Sequence, residues 1–425
     1  MEPLLFLCHR IPYPPNKGDK IHSYHTLRHL ARRYRIVLGT FIDDPADEAH
    51  AATVRGWCAD AHFVRISPLA RRVASLRGLL SGEPLSITYY RDPGLRKWID
   101  TSIRSFGVRK CFGYSSAMAQ YLVDREGQRV VLDIGDVDSL KWDQYAEERR
   151  WPMSWIYARE GRRLLAFERR IVRASDASLF HTVAEADLLL EHEPGAAHKV
   201  FGIPNGVDAD FFSAAPDRQS PFGDDEEAIV FTGAMDYWPN VDAVSWFARD
   251  IMPAVRAERP RARFWIVGMN PSAPVRALAM LPFVTVTGRV DDVRPYLQHA
   301  ALFVAPLRLA RGIQNKVLEA MAMGCVVLAS SEALTGIRAE LGRDVEAATA
   351  QSEFVQKTIA LLASKRAREM GQSARTRVTE EYNWEVLLEA YDRVLEAPSV
   401  EELDLPGCRP LRAAPRLALA AGGCS

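Results

Sequence analysis

The stretch Arg311-Gly-Ile-Gln-Asn-Lys-Val-Leu-Glu-Ala-Met-Ala-Met-Gly324 follows a short apolar run, Ala301–Ala305, through the connection Pro306-Leu-Arg-Leu-Ala-Arg-Gly312. An apolar strand, a glycine turn and an amphipathic helix make the βα half of a βαβ unit. Lys316 and Glu319 stand three residues apart, so they share one face of that helix. A helix start presents unsatisfied backbone N–H groups and about half a positive charge. Gly312, Gln314 and Asn315 lie at this start, with Arg308, Arg311 and Lys316 nearby, and the ensemble suits a diphosphate. Glu319 follows about one turn later, where a carboxylate can take both hydroxyls of a ribose. A Lys–Glu pair at this spacing is more often surface decoration. Its place after an apolar strand and beside Gly312 favours a site.

The same alternation of short apolar runs and longer amphipathic ones extends outward in both directions. Strands are expected at 4–8, 35–41, 62–66, 108–113, 130–134, 177–182 and 199–203, then at 228–232, 263–267, 284–287, 301–305 and 325–329. Helices are expected between them, for example over 241–257 and 293–299, and after residue 350 over 352–363, 365–379 and 384–396. This is an α/β chain with two parallel sheets. Pro204-Asn-Gly-Val-Asp208 punctuates the middle, and a polar stretch over 214–227 follows. The tail from Pro398 is rich in Pro, Ala, Gly and Leu without period, and is expected to be disordered.

Three further constellations carry candidate chemistry. Pro14-Pro-Asn-Lys-Gly-Asp-Lys20 follows the first strand, and Gly18 at a helix start would admit a phosphate, with Lys17 and Lys20 adding charge. It is not G-x-G-x-x-G, which disfavours a dinucleotide oxidoreductase. His22, His25 and His29 share a face of the following helix. A basic surface is the preferred reading there, over a metal site. Val130-Val-Leu-Asp-Ile-Gly-Asp-Val-Asp-Ser139 places Asp133, Asp136 and Asp138 at or past the end of a strand, where ligands bind in open α/β sheets. One of them is expected to accept a hydrogen bond from, or deprotonate, an attacking hydroxyl. Asp136-Val-Asp138 also reads as a D-x-D metal motif, and Asp138 or Ser139 as a helix cap. Phe231-Thr-Gly-Ala-Met-Asp-Tyr-Trp-Pro-Asn-Val241 repeats the first constellation, with Gly233 open to close approach and Tyr237 or Trp238 at its border.

Composition sets the frame. The chain has 425 residues, with 54 acidic and 54 basic side chains, so overall charge names no partner and gives no sign of nucleic acid. Locally, residues 65–110 hold ten basic residues against three acidic ones, a patch suited to anionic lipid or polyphosphate. Six scattered cysteines without C-x-x-C offer no zinc framework and suit a reducing compartment, with Cys8, Cys111 and Cys325 expected as buried thiols. With no signal peptide and no apolar run long enough to span a bilayer, a cytoplasmic protein is expected, peripheral at the inner membrane face.

These residues resemble glycosyltransferase family 4 of the GT-B fold. The glycine loop after the first strand, Ile203-Pro-Asn-Gly-Val-Asp208, the Gly233 turn, Gly288-Arg289 and Leu318-Glu-Ala-Met-Ala-Met-Gly324 occur in the expected order over residues 3–396. Leu7-Cys-His-Arg-Ile-Pro-Tyr-Pro-Pro-Asn-Lys-Gly-Asp-Lys20 and Arg311-Gly-Ile-Gln-Asn-Lys-Val-Leu-Glu-Ala-Met-Ala322 look like a narrower branch, the sugar transferases of bacterial exopolysaccharide loci of the exosortase/PEP-CTERM type. The resemblance implies two Rossmann-like domains facing across a cleft: 1–203 for the acceptor and 204–383 for the nucleotide sugar, with a last helix, 384–397, crossing back to the first. It implies Glu319 on the ribose, Lys316 on phosphate, the Gly18 loop closing on the pyrophosphate, and retaining transfer without a catalytic metal or other cofactor. The acceptor would be a glycan or a lipid-linked glycan.

Two departures matter. Arg311 stands where the wider family has the first glutamate of E-x7-E, which touches the donor sugar; a guanidinium suits an acidic sugar or a further phosphate oxygen. Met235–Trp238 lacks the usual basic phosphate ligand, for which Arg289 or Arg308 would substitute. The competing readings are a nucleotide-sugar 2-epimerase on the same fold, a metal-dependent enzyme using Asp136 and Asp138, and a non-catalytic polysaccharide-binding protein.

Overall fold

The computed structural model describes residues 1–400 except Glu148, Arg311 and Lys365, and also Leu403 and Leu405. The chain divides into two compact units, residues 1–203 with 388 onward, and Pro204–Leu387. The expected disordered tail, 398–425, and with it Cys408 and Cys424, falls outside the described residues except for 398–400, 403 and 405.

The first unit is built on a seven-stranded, wholly parallel sheet. Its strands are β1 (Pro3–Cys8), β2 (Arg35–Ile42), β3 (Asp60–Arg65), β4 (Lys110–Tyr114), β5 (Arg129–Gly135), β6 (Ala177–Phe180) and β7 (Val200–Gly202). The order is β3-β2-β1-β4-β5-β6-β7. Consecutive side chains on β1, Leu4 through Cys8, are all fully buried. Both faces of the strand are therefore covered by helices, which is why its sequence is a continuous apolar run and not an alternating one. The chain winds outward from β1 on one side and from β4 on the other, so the order reverses between β1 and β4.

The second unit repeats this plan with β8 (Glu227–Thr232), β9 (Ala262–Val267), β10 (Val284–Gly288), β11 (Leu302–Ala305), β12 (Val327–Ala329) and β13 (Glu346–Ala347), again all parallel. The order is β10-β9-β8-β11-β12-β13, and it reverses between β8 and β11. In open α/β sheets a ligand crevice lies beyond the strand ends at such a reversal. Each buried Val, Leu, Ile or Phe of these strands contributes about 1.5–3 kcal/mol, which fixes the strand ends that carry the site.

All twelve expected strands are present, with ends moved by up to two residues. β13 was not foreseen. The helix expected over 241–257 is three pieces: Trp238–Trp246, a wider π turn Phe247–Ile251, and Met252–Glu258. Pro253 has no N–H to give the preceding turn, and the ladder widens before it. The helix Trp384–Glu396 starts in the second unit, and from Leu388 its residues belong to the first. Among the described residues no helix is long and apolar enough to cross a membrane. Cys8, Cys111 and Cys325 are buried thiols, and burial pushes each up to about 12.

Candidate functional site

At the reversal of the second sheet, β8 ends at Thr232 and turns through Gly233, while β11 ends at Ala305 and leads to the helix Asn315–Ala322. Gly233 has φ +155°, and a Cβ there would stand 2.8 Å from Asn240 Nδ2 and 3.4 Å from Lys316 Nζ. The backbone of Gly233 is also pressed by β9: a Cβ on Gly268 would fall 1.7 Å from the Gly233 carbonyl oxygen. Only glycine fits both positions.

Lys316 reaches back from the first turn of its helix to the end of β8. Its ammonium donates to Asn240 Oδ1 and lies 4.7 Å from the Phe231 ring centroid. Asn240 in turn donates from Nδ2 to the Ala234 carbonyl, 2.9 Å away, which fixes which of its atoms faces the lysine. Glu319 follows on the same helix and, like Lys316, is half-buried. Burial pushes Lys316 down to about 7, with the Glu319 charge working against the shift. It pushes Glu319 up to about 7, opposed by Lys316. Removing charged groups from water favours their neutral forms, so this pair stands near its titration point.

The helix start is organised by polar side chains. Gln314 is the residue before the helix, and its Nε2 donates to the Gly312 carbonyl at 3.3 Å. Gly312 holds φ +64°, the left-handed conformation that lets the chain turn from strand to helix. Asn315 Oδ1 accepts from Asn205 Nδ2 at 3.5 Å, which ties the Pro204-Asn-Gly segment to the site. The Thr232 hydroxyl is buried at the end of β8 with no hydrogen-bond partner among the described residues.

The two arginines expected to replace a missing phosphate ligand are placed differently. Arg308 is clamped by Asp242, with Nε 2.9 Å from Oδ2, and lies over the Trp246 ring. Arg289 is exposed just past β10, the edge strand two places from β8. Arg311 lies outside the described residues. Tyr237 and Trp238 are exposed, while Met235 is buried in the core.

In the first unit, Gly18 opens the helix Gly18–Leu30, and Lys17 stands before it; both are exposed. Lys20 does not add charge for a phosphate as expected: it is buried, and its ammonium pairs with Asp47 at 2.8 Å. The histidines are likewise not a basic surface. His22 is buried with Nε2 2.6 Å from Asp133 Oδ2, and His29 pairs with Asp392 at 2.8 Å. The face they share is the inward one, because this helix buries polar residues (Lys20, His22, Ser23, Thr26) along with Leu27 and Leu30.

Asp133 is the hub of a network that sequence reasoning did not foresee. His181 Nε2 lies 3.2 Å from its Oδ1, and the Tyr391 hydroxyl donates to its Oδ2 at 2.8 Å. Burial alone would raise the Asp133 pKa, but the charges of His22 and His181 outweigh it and hold the carboxyl well below the usual range. Burial would lower His181, and Asp133 outweighs it in turn, raising the imidazole above 6.5. The His22 and His181 rings stack with centroids 4.2 Å apart at 29°. The ring nitrogens of both histidines and the Asp133 carboxylate lie within 4.8 Å of one another, a spacing that serves either imidazole N–H groups on one carboxylate or three ligands of a metal ion.

Asp136 and Asp138 lie past β5, and the Lys141 ammonium bridges them at 2.9 Å each. That ammonium occupies the position a cation on D-x-D would take. Burial would lower Lys141, but Asp138 and Asp136 outweigh it and raise its pKa. Asp138 is the first residue of the helix Asp138–Glu147, where a carboxylate suits the helix dipole. Ser139 is not a cap: its hydroxyl donates to Glu168, a buried carboxyl that burial raises to about 8.

Residues 226–364 match the family model described as glycosyl transferases group 1. The second unit carries a glycosyltransferase domain. A search of curated proteins returns no match. Among solved structures, sucrose-phosphate synthase from Thermosynechococcus elongatus aligns with a TM-score of 0.70 at 16% identity, covering 93% of this chain and 98% of that one. HepE of Anabaena, in complex with UDP and glucose, aligns with a TM-score of 0.66 at 12% identity, over 93% and 99% of the two chains. WaaG, a glycosyltransferase involved in lipopolysaccharide biosynthesis, aligns with a TM-score of 0.57 at 15% identity, over 93% and 100%. These likenesses show the fold, GT-B with two Rossmann-like domains, and the domain match identifies a glycosyltransferase.

Proposed function

We propose that the chain transfers a sugar from a nucleotide diphosphate sugar to a glycan or lipid-linked acceptor in bacterial exopolysaccharide synthesis, as a family 4 enzyme acting with retention. The observation that carries the donor assignment is the Lys316 ammonium held beside Gly233 at the strand reversal, with Glu319 one turn further on. Lys316 binds the pyrophosphate and stabilises the charge that grows on the leaving diphosphate, where preorganised donors contribute most. Glu319 accepts hydrogen bonds from the ribose hydroxyls. Backbone N–H groups at Gly312 and Asn315, and the glycine at 233, let the phosphates approach the main chain. Gly18 and Lys17 add a phosphate contact, and Arg289 and Arg311 serve the donor's outer end. Arg308 is assigned to holding the helix Trp238–Trp246 through Asp242.

In the first unit, Asp136 is assigned to the acceptor hydroxyl, since it is the less exposed member of the Lys141-bridged pair. The reaction needs no metal or other cofactor in this reading, and Lys141 supports it by neutralising both carboxylates. The test is a thermal-shift screen of nucleotide sugars with and without chelator. A UDP-sugar or related donor raises the melting temperature with its excess over Kd, chelator leaves the shift unchanged, and Glu319→Ala removes it. Donor binding and transfer both intact in Glu319→Ala would sink the assignment.

A further inference from the structure

The first unit carries an apolar stripe that its own core does not cover. The helices Pro68–Ser75 and Arg77–Ser81 run on through Leu76, which keeps right-handed helical angles between them. Leu69, Val73, Leu76 and Leu80 follow at steps of four, three and four residues, the spacing of a single helix face. They are between 49% and 95% exposed.

A second element extends the stripe. Arg159, on the helix Met153–Ala174, donates to the Gly78 carbonyl and so seats this helix on the Arg77–Ser81 turn. Trp155 precedes Arg159 by four residues, along the line that faces that turn, and Trp151 stands two residues before the helix begins. Trp155 is 53% and Trp151 80% exposed. Soluble proteins rarely leave a contiguous apolar surface of this kind without a use.

The charge around the patch selects the partner. Arg72 and Arg77 are exposed beside the leucines, and Arg149 and Arg150 directly precede Trp151. Beside the leucine stripe, Glu83 pairs with Arg91 and Asp92 with Arg71, so the exposed Arg72 and Arg77 set the charge there, while Glu147 stands exposed before Arg149. A second copy docking through this face would set the same arginines against one another. An anionic bilayer offers acyl chains for the leucines, phosphate headgroups for the arginines, and the interfacial depth where tryptophan settles.

We propose that this face is a membrane-docking surface for anionic lipid, with Leu69, Val73, Leu76 and Leu80 among the acyl chains and Arg72 and Arg77 on the headgroups. It rests on the surface alone and not on the donor reading.

The full chain is sedimented with vesicles of phosphatidylglycerol and phosphatidylcholine, and with pure phosphatidylcholine, at low and high salt, without nucleotide. Binding is expected to the anionic vesicles only, and to weaken with salt. Leu76→Asp with Leu80→Asp brings it to background, while Arg72→Glu with Arg77→Glu weakens it at least about tenfold and flattens the salt dependence. All four positions are exposed, and an unchanged melting temperature verifies the fold. The proposal is overturned if the wild-type chain ignores anionic vesicles, if the variants bind as wild type, or if the leucine variant instead converts a dimer to a monomer. Because no donor is present, vesicle binding and nucleotide binding succeed or fail independently.

Discussion

Lys316 Nζ stands 3.4 Å from the point that a Cβ on Gly233 would occupy, so the lysine and the glycine assigned to the donor phosphates define one small volume. Asn240 closes it from the helix Trp238–Trp246, holding the ammonium through Oδ1. Gly233→Ala puts a methyl group into that volume at a φ that side chains rarely adopt. The expected cost is about 1–3 kcal/mol of stability, with nucleotide affinity reduced at least about tenfold as the ammonium is displaced. Calorimetric titration of the nucleotide diphosphate, beside urea unfolding, separates the two effects.

The pH dependence of donor binding follows from the Lys316–Glu319 pair. Lys316 sits at about 7, so above that pH the empty site loses its ammonium, and a diphosphate must bring a proton in. Glu319 also sits at about 7, so below that pH it is neutral and a poorer acceptor for ribose. Affinity is therefore expected to peak near neutrality and to fall on both sides, with proton uptake on the alkaline limb. Titrations at pH about 8 in two buffers of different ionisation enthalpy measure that uptake. Lys316→Arg, which cannot deprotonate in this range, flattens the alkaline limb and leaves the acid one. A pH-independent affinity would refute the coupling.

The frame of the site was legible in the sequence, and its fittings were not. Strand, glycine and helix announce themselves locally, so Gly233, Gly312, Lys316 and Glu319 could be named from their order along the chain. Asn240 reads as an ordinary residue near a helix start; its role comes from a lysine seventy-six residues away. β13 was invisible because Glu346 and Ala347 are an edge pair, half-buried, with no apolar signal. The histidines show the limit most plainly. A period of 3.6 puts His22 and His29 on one face but does not say whether that face looks inward, and their partners, Asp133 and Asp392, lie on other elements. Arg308 shows the same limit, since its partner Asp242 is its neighbour only in the fold.

The Asp133 network gives a stability signature of its own. Asp133 titrates below its unfolded value, so its contribution is complete above pH about 4 and is lost as pH falls through its folded value. His181 titrates above its unfolded value, so its contribution is complete below pH about 6.5 and is lost as pH rises through its folded value. Between those limits both are present. Asp133→Asn leaves two buried imidazoles without their counter-charge and is expected to cost about 3–5 kcal/mol at pH 6. The loss should shrink as the pH rises and His181 becomes neutral. Urea unfolding of both proteins from pH 5 to about 9 tests this, and a cost that does not change with pH would show that the network is held by packing alone.

Asp136 and Asp138 share Lys141 but differ in exposure, and that difference sets the last expectation. Asp138, at 43% side-chain exposure, opens a helix and is already stabilised by its dipole, whereas Asp136, at 25%, precedes it in the loop. If Asp136 serves the acceptor hydroxyl, Asp136→Asn lowers kcat by about a hundredfold or more, the usual range for a lost general base, without changing nucleotide affinity. Asp138→Asn should cost the helix about 0.3–1 kcal/mol and leave kcat within a few-fold. Lys141→Ala removes the bridge, so the two carboxylates repel each other and are pushed toward protonation. Its kcat should then fall at low pH and recover as the pH rises and both acids ionise. A kcat profile over pH, measured at saturating donor, distinguishes this from simple loss of packing, which would lower the rate equally at every pH.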